Sequence, residues 1–297
     1  MIALSVIFLW SANLIVQKWL CQEISLDFCN LLRFLSCVPL LFFFRKPPVL
    51  LFKLLLVTVF WNVLNFFFIG LSLHNGIGAG IFSVVYQTCT FFGVLFCYLL
   101  IKEVPKTHQL VGMIISFTGV ILLFRDSFSN QVDMTGLLFV LLAAISWGIG
   151  VTLIKKYELS SEFSTNVWIA SVAVIPMFGV TYLHGGSDII QSSIEVLSFK
   201  IMMGILFAAY GAVLLAGCIW FRLLKKYPST LIMPFMLLLP PMSCILSYFL
   251  LGERFTLLQI SASLVILVGI LVNQNILRWS LISYQPSNLW KKWISTN

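Results

Sequence analysis

Charge is what this sequence has least of. Only 9% of its 297 residues are Asp, Glu, Lys or Arg, against about 25% in a soluble domain. So few charged groups cannot coat a water-facing surface, which excludes soluble enzymes, nucleic-acid readers and disordered chains. Histidine is scarce as well. His74, His108 and His184 stand near the ends of apolar runs and have no metal-ligand spacing. No Gly-x-x-x-x-Gly-Lys-Ser/Thr stretch is present, so the chain has no phosphate loop of its own for ATP hydrolysis. No two acidic residues share an apolar run, which removes paired-carboxylate acid–base chemistry. The seven cysteines form no Cys-x-x-Cys pair and read as small polarizable packing residues. Neither a metal nor a cofactor is expected.

What is present is apolar sequence. Hydrophobic residues make up 60% of the chain and mean hydropathy is +1.04. Apolar runs bounded by charges, Pro or Gly fall at 2–20, 27–44, 49–73, 78–101, 108–124, 135–154, 163–183, 199–222, 229–251 and 257–278. A crossing helix needs roughly 20 residues, and only helices or closed barrels satisfy their backbone groups in hydrocarbon. The expectation is an all-α integral membrane protein of ten transmembrane helices. The first run lacks a basic leader and a cleavage site, so it is read as a retained helix. With a cytoplasmic N-terminus, the cytoplasmic connections and tail hold 13 of the 18 Lys and Arg residues. The opposite side holds only Lys18, Arg125, Lys200 and Arg254. This bias places both termini in the cytoplasm.

The chain also repeats itself. Trp10 and Lys18 stand eight apart in the first run, as do Trp147 and Lys155 in the sixth. Later the register is 150: Glu103 matches Glu253, Gln109 matches Gln259 and Gly119 matches Gly269. Five spans is an odd number, so two such halves enter the membrane from opposite sides. That is an inverted repeat, with a substrate site expected near the midplane. The boundaries are 1–125 for the first repeat, 134–279 for the second, and 280–297 for a short basic tail.

Polar residues inside the runs are the functional candidates. Ser83, Tyr86, Gln87 and Thr90 share one helical face, as do Trp10, Asn13 and Gln17, while Asn62 and Asn65 follow Trp61. Such faces line a hydrated pathway or bond across helices as packing glue. Trp10 and Trp147 lie two turns inside the Lys that ends each helix, deeper than an interfacial belt. Arg33 is the one ionisable residue well inside a run. Its alternatives are a functional role or snorkelling and helix tying. Pro234, Pro240 and Pro241 mark a bent ninth span. Glu103 and Glu253, at helix ends, serve either as caps or as gates.

These motifs resemble the EamA-type drug/metabolite transporters. The resemblance rests on Trp10 to Lys18, Leu32-Arg33-Phe34, and Gly252-Glu253-Arg254 leading to Gln259 and Gly269, and it covers 1–278. Within the family it is strongest toward exporters of amino-acid and cysteine-pathway metabolites, through Tyr210-Gly211, Pro234 and Leu277-Arg278-Trp279. It implies two inverted five-helix repeats around a central cavity lined by Trp10, Asn13, Asn62, Asn65, Tyr86, Gln87, Trp147 and Tyr210. It also implies a gating or structural role for Arg33, Glu103, Glu253, Pro234, Pro240 and Pro241. Lys102-Glu103-Val104 departs from the Gly-Glu-Arg pattern of the second half. The implied activity is export of a small polar metabolite across a bacterial inner membrane by alternating access, with protons as the candidate coupling ion. Import or exchange of a cofactor-like metabolite such as S-adenosylmethionine is the alternative within transport. An integral-membrane lipid enzyme is the alternative outside it.

Overall fold

The computed structural model describes residues 2–77, 82, 85–123, 133–159, 163–251 and 257–275. Every regular element among them is helical. We number the rods α1 (Ile2–Glu23), α2 (Leu26–Leu35), α3 (Leu51–His74), α4 (Cys89–Ile101), α5 (Thr107–Leu123), α6 (Met134–Lys156), α7 (Phe163–Val172, continued as Val174–Glu195), α8 (Phe199–Lys226), α9 (Ser229–Leu251) and α10 (Leu257–Asn273). Six stretches are long and apolar enough to cross a bilayer: Ile2–Glu23, Leu51–His74, Met134–Lys156, Phe163–Leu183, Phe199–Lys226 and Ser229–Leu250. α4, α5 and α10 are shorter apolar helices, and α2 has 10 residues followed by a 3-10 turn at Val38–Phe42. Large apolar side chains such as Phe42, Ile114, Ile175, Phe249 and Leu264 face outward, whereas Asn30, Arg33, Asn62 and Thr152 are buried. That inversion belongs to a chain solvated by lipid. The chain is a multi-pass membrane protein.

Helix starts follow their caps. Ser25 accepts the Phe28 N–H at 3.2 Å, Asp133 accepts those of Thr135 and Gly136, and Ser198 accepts that of Ile201. α4 ends on Lys102 in the left-handed region, φ 63°. Glycine normally fills such a position, and glycine stands at the matching position 252 of the second half.

The connectivity of packing is an exchange. α6 packs against α3 and α4, and α1 packs against α8 and α9. The first helix of each half therefore lies on the third and fourth helices of the other. The fifth helices, α5 and α10, pack along each other over most of their length. There Gly112 faces Gly269 and Asn273, and Gly119 faces Ala262 and Ile266. Under a register of 150 these contacts interconvert, because 112 maps to 262 and 119 to 269. The Ser116 hydroxyl donates to the Ile266 carbonyl at 3.0 Å, at a separation of 150, and so maps onto itself. As one residue number rises the other falls, so the two helices run antiparallel.

Helices α3 and α8 share an irregularity at corresponding places. Thr58–Leu64 and Phe207–Ala216 are wound as π-helix. α9 is interrupted instead, and α4 starts only after a break. Helical bonding breaks at Gln87–Thr88, where the Thr88 hydroxyl takes the Val85 carbonyl at 2.6 Å. The sequence expects one helical face across Ser83, Tyr86, Gln87 and Thr90, and the break divides it; Ser83 lies outside the described residues. In α9, Met233–Leu238 tightens to 3-10, with Pro234 in its first turn. Pro240 and Pro241 then open the following α-segment, Leu239–Leu251, where a helix needs no amide donors. These prolines start new segments; they do not bend a continuous one.

Candidate functional site

The two halves meet in a cluster of indoles. Trp10 of α1 lies 5.2 Å from Trp220 of α8, Trp220 lies 6.4 Å from Trp147 of α6, and Trp147 stacks on Trp61 of α3 at 5.3 Å and 28°. Phe221 closes against Trp61 edge-on at 5.7 Å. Trp220 is fully buried and its Nε1 donor has no partner. Gly148 and Gly150 allow this approach, since a Cβ at 148 would stand 2.9 Å from the Gly93 nitrogen and one at 150 would stand 2.9 Å from the Trp61 Cα.

The π segments supply polar groups to the same place. A π turn displaces carbonyls from their usual α-helical donors, and side chains take them up. Trp10 Nε1 donates to the Ala212 carbonyl at 3.0 Å. Asn166 Nδ2 of α7 reaches the Val213 and Leu214 carbonyls at 3.0 and 2.9 Å. On the other half, the Ser146 hydroxyl of α6 donates to the Phe60 carbonyl at 3.1 Å. Thr58 and Asn62 both reach the Ile169 carbonyl of α7, at 3.2 and 3.3 Å. So the first helix of each half bonds into the π segment of the other.

The remaining expected residues distribute around this centre. Asn65 accepts the Tyr86 hydroxyl at 2.9 Å, and Tyr86 stacks on Phe82 at 5.3 Å. Asn13 donates to Gln17 at 3.3 Å while its own Oδ1 is buried without a partner, as is Gln87 Oε1. Tyr210 stands apart from the indoles: its hydroxyl donates to the Ser36 carbonyl of α2 at 2.8 Å and its ring is 39% exposed. Arg33 is buried beneath Phe66 of α3. Glu253 lies outside the described residues.

Glu103 gathers a second cluster at the end of the molecule that the Lys and Arg distribution assigns to the cytoplasm. Its carboxylate pairs with Lys155 Nζ at 2.6 Å and accepts the Ser229 amide. Lys155 also donates to the Tyr227 carbonyl at 3.1 Å. One first-half carboxylate thus clamps the end of α6 and the start of α9.

Trp220, Trp61, Ser146 and Asn166 enter the site without having been singled out as binding residues from the sequence. The rule that found Asn62, an amide inside an apolar run, applies equally to Asn166. Trp220 stands in an apolar run like many other indoles, and only its neighbours, Trp10 and Trp147, mark it.

Comparison with known proteins agrees with this architecture. Residues 1–125 and 134–274 match the model of the EamA-like transporter family. A relative from Escherichia coli K12, named "Probable amino-acid metabolite efflux pump", is 30% identical over 284 residues, covering 94% of this chain and 95% of its own. A Salmonella typhimurium relative of the same name is 29% identical, covering 92% and 93%. A crystal structure at 15% identity shares the fold, with a TM-score of 0.75 over 95% of this chain and 98% of the other. With both halves of the chain matched and a relative aligned end to end, the protein belongs to the EamA-like transporter family.

Proposed function

We propose that the chain exports small polar metabolites, amino acids or intermediates related to cysteine, through ten spans arranged as two inverted five-helix repeats in a bacterial inner membrane. The observation that carries this reading is the indole cluster, built from α1, α3, α6 and α8 where the first helix of each half crosses the π segment of the other. Stacked rings beside amides and displaced carbonyls suit an ammonium, an amide or an apolar side chain. They offer no concentrated positive charge for a nucleotide phosphate. In alternating access the Glu103–Lys155 clamp closes the cytoplasmic end, and the packed indoles seal the middle. Export is supported by the printed names of the Escherichia coli and Salmonella relatives.

The test is flux across proteoliposomes of labelled cysteine, O-acetylserine and S-adenosylmethionine, with and without a proton gradient. Movement of the first two, lost in Trp147→Ala, is the expected result. Movement of S-adenosylmethionine alone overturns the substrate class. Flux indifferent to the gradient removes protons as the coupling ion.

A further inference from the structure

Arg33 is 1% exposed, and its Nε and Nη2 have no hydrogen-bond partner. Among the described residues no carboxylate forms an ion pair with it. A guanidinium in this position is among the most expensive groups to bury, and burial without a counter-charge is worse than replacing it with an apolar residue. One face is covered: Cζ lies 5.2 Å from the centroid of the Phe66 ring. That cation–π contact leaves two in-plane donors, Nε and Nη2, without a partner. Nε and Nη2 lie along a single edge of the guanidinium, the edge that meets the two oxygens of a carboxylate side-on. The unused donors therefore have the shape of one particular acceptor.

A second unsatisfied group stands beside it. Asn30, three residues earlier on α2, is fully buried, and both its Nδ2 and its Oδ1 lack partners. Residues three apart share a helix face. The amide offers a donor to the same carboxylate and an acceptor for a nearby ammonium. Most buried polar groups in a folded chain are paired, so two adjacent unpaired side chains call for a guest. The position shares α3 with the indole centre. Phe66 stands one turn beyond Asn62 on α3, Asn62 bonds to α7, and Trp61 is part of the indole stack.

We propose that Arg33 and Asn30 form the head-group site of the transported metabolite: the Nε–Nη2 edge receives its carboxylate, and Asn30 Oδ1 accepts from its ammonium. This rests on the transport reading above and narrows its substrate class to carboxylate-bearing zwitterions. In the packed arrangement the edge is sealed, so loading takes place in the conformation in which α2 and α3 part.

The experiment compares L-cysteine with cysteamine, the same thiol-amine lacking the carboxylate, using the full chain in proteoliposomes under reducing conditions. Wild type should favour cysteine. Arg33→Gln should lower cysteine flux by about thirtyfold or more while cysteamine flux holds, collapsing the preference. Arg33→Lys keeps the charge but loses the planar edge, and should recover only part of that preference. A cysteine-to-cysteamine ratio unchanged in folded Arg33→Gln, or in Arg33→Lys should the glutamine variant not fold, overturns the proposal. Thermal unfolding in detergent separates this failure from that of the transport reading. If wild type moves neither compound but L-cysteine or acetate raises its melting temperature and the shift vanishes in Arg33→Lys, the anion site stands and the transported class is wrong. Absence of any carboxylate-dependent shift and of any flux preference in wild type removes the site.

Discussion

The α5–α10 seam and the π-wound centre are built on opposite principles. At the seam, Gly112, Gly119 and Gly269 bring two regular helices backbone to backbone, and Ser116 and Asn273 lock carbonyls across it, at 3.0 and 2.8 Å. Nothing there departs from α-geometry. At the centre, α3 and α8 carry π segments, α9 is interrupted, and large rings fill the space that glycine leaves open at the seam. Tight packing of small residues has a single arrangement, since any separation loses all its contacts at once. Rings against displaced carbonyls have several, since each carbonyl can return to a helical donor. The contrast supports the proposal that the seam holds the halves together while the centre changes shape.

The strongest way to break that contrast is Gly269→Leu. The added side chain meets the Ser116 hydroxyl and the Gly112 carbonyl, so we expect a loss of about 4 kcal/mol or more and no folded protein by size-exclusion chromatography. A folded, active Gly269→Leu protein would refute the seam's role. Trp147→Ala tests the centre. It should cost about 3 kcal/mol in detergent unfolding, yet the protein should still reach the membrane with flux down about tenfold or more. Fold and flux separate here, whereas at the seam they fail together.

Glu103→Gln sharpens the comparison at the Glu103–Lys155 end. The Glu103 and Lys155 side chains are only 16% and 17% exposed, so losing the charge should weaken the clamp by about 1 kcal/mol. Buried Cys97, near the same end of α4, should then react faster with a membrane-permeant maleimide. An unchanged labelling rate would remove the clamp from the gating scheme. The smallest effect belongs to Lys102→Gly. Relief of the left-handed φ of 63° should stabilise the chain by about 1 kcal/mol, read as a raised melting temperature with flux unaltered.

Much of this contrast was legible in the chain, though unevenly. The register of 150 is visible in Gln109 and Gly119, and the Gly112–Gly269 and Gly119–Ala262 contacts of the seam are related by it. Trp10 and Trp147 stood out because each lies eight residues from a lysine. The sequence leaves Glu103 as cap or gate, because its partners, Lys155 and the Ser229 amide, are 52 and 126 residues away. The π segments left no trace, because Thr58–Leu64 has the composition of any apolar helix. Tyr210 was grouped with the indoles by resemblance, and the fold sets it against Ser36 on another flank. Arg33 was conspicuous as a charge in an apolar run, but the emptiness of its Nε–Nη2 edge is a property of its surroundings.

Composition and the order of apolar runs therefore determined the solvent and the helical class, and repeated residues set the expectation of a duplication. Each follows from summed transfer free energies or from repeated residue types, and neither needs a neighbour. Lysine and arginine spacing set the expected orientation for the same reason. Only the tertiary structure decided which rings meet, where the helices leave α-geometry, and which buried polar atoms remain unpaired. Those outcomes depend on how closely two backbones approach, a quantity fixed between segments far apart in the chain, 86 residues for Ser146 on Phe60 and 202 for Trp10 on Ala212.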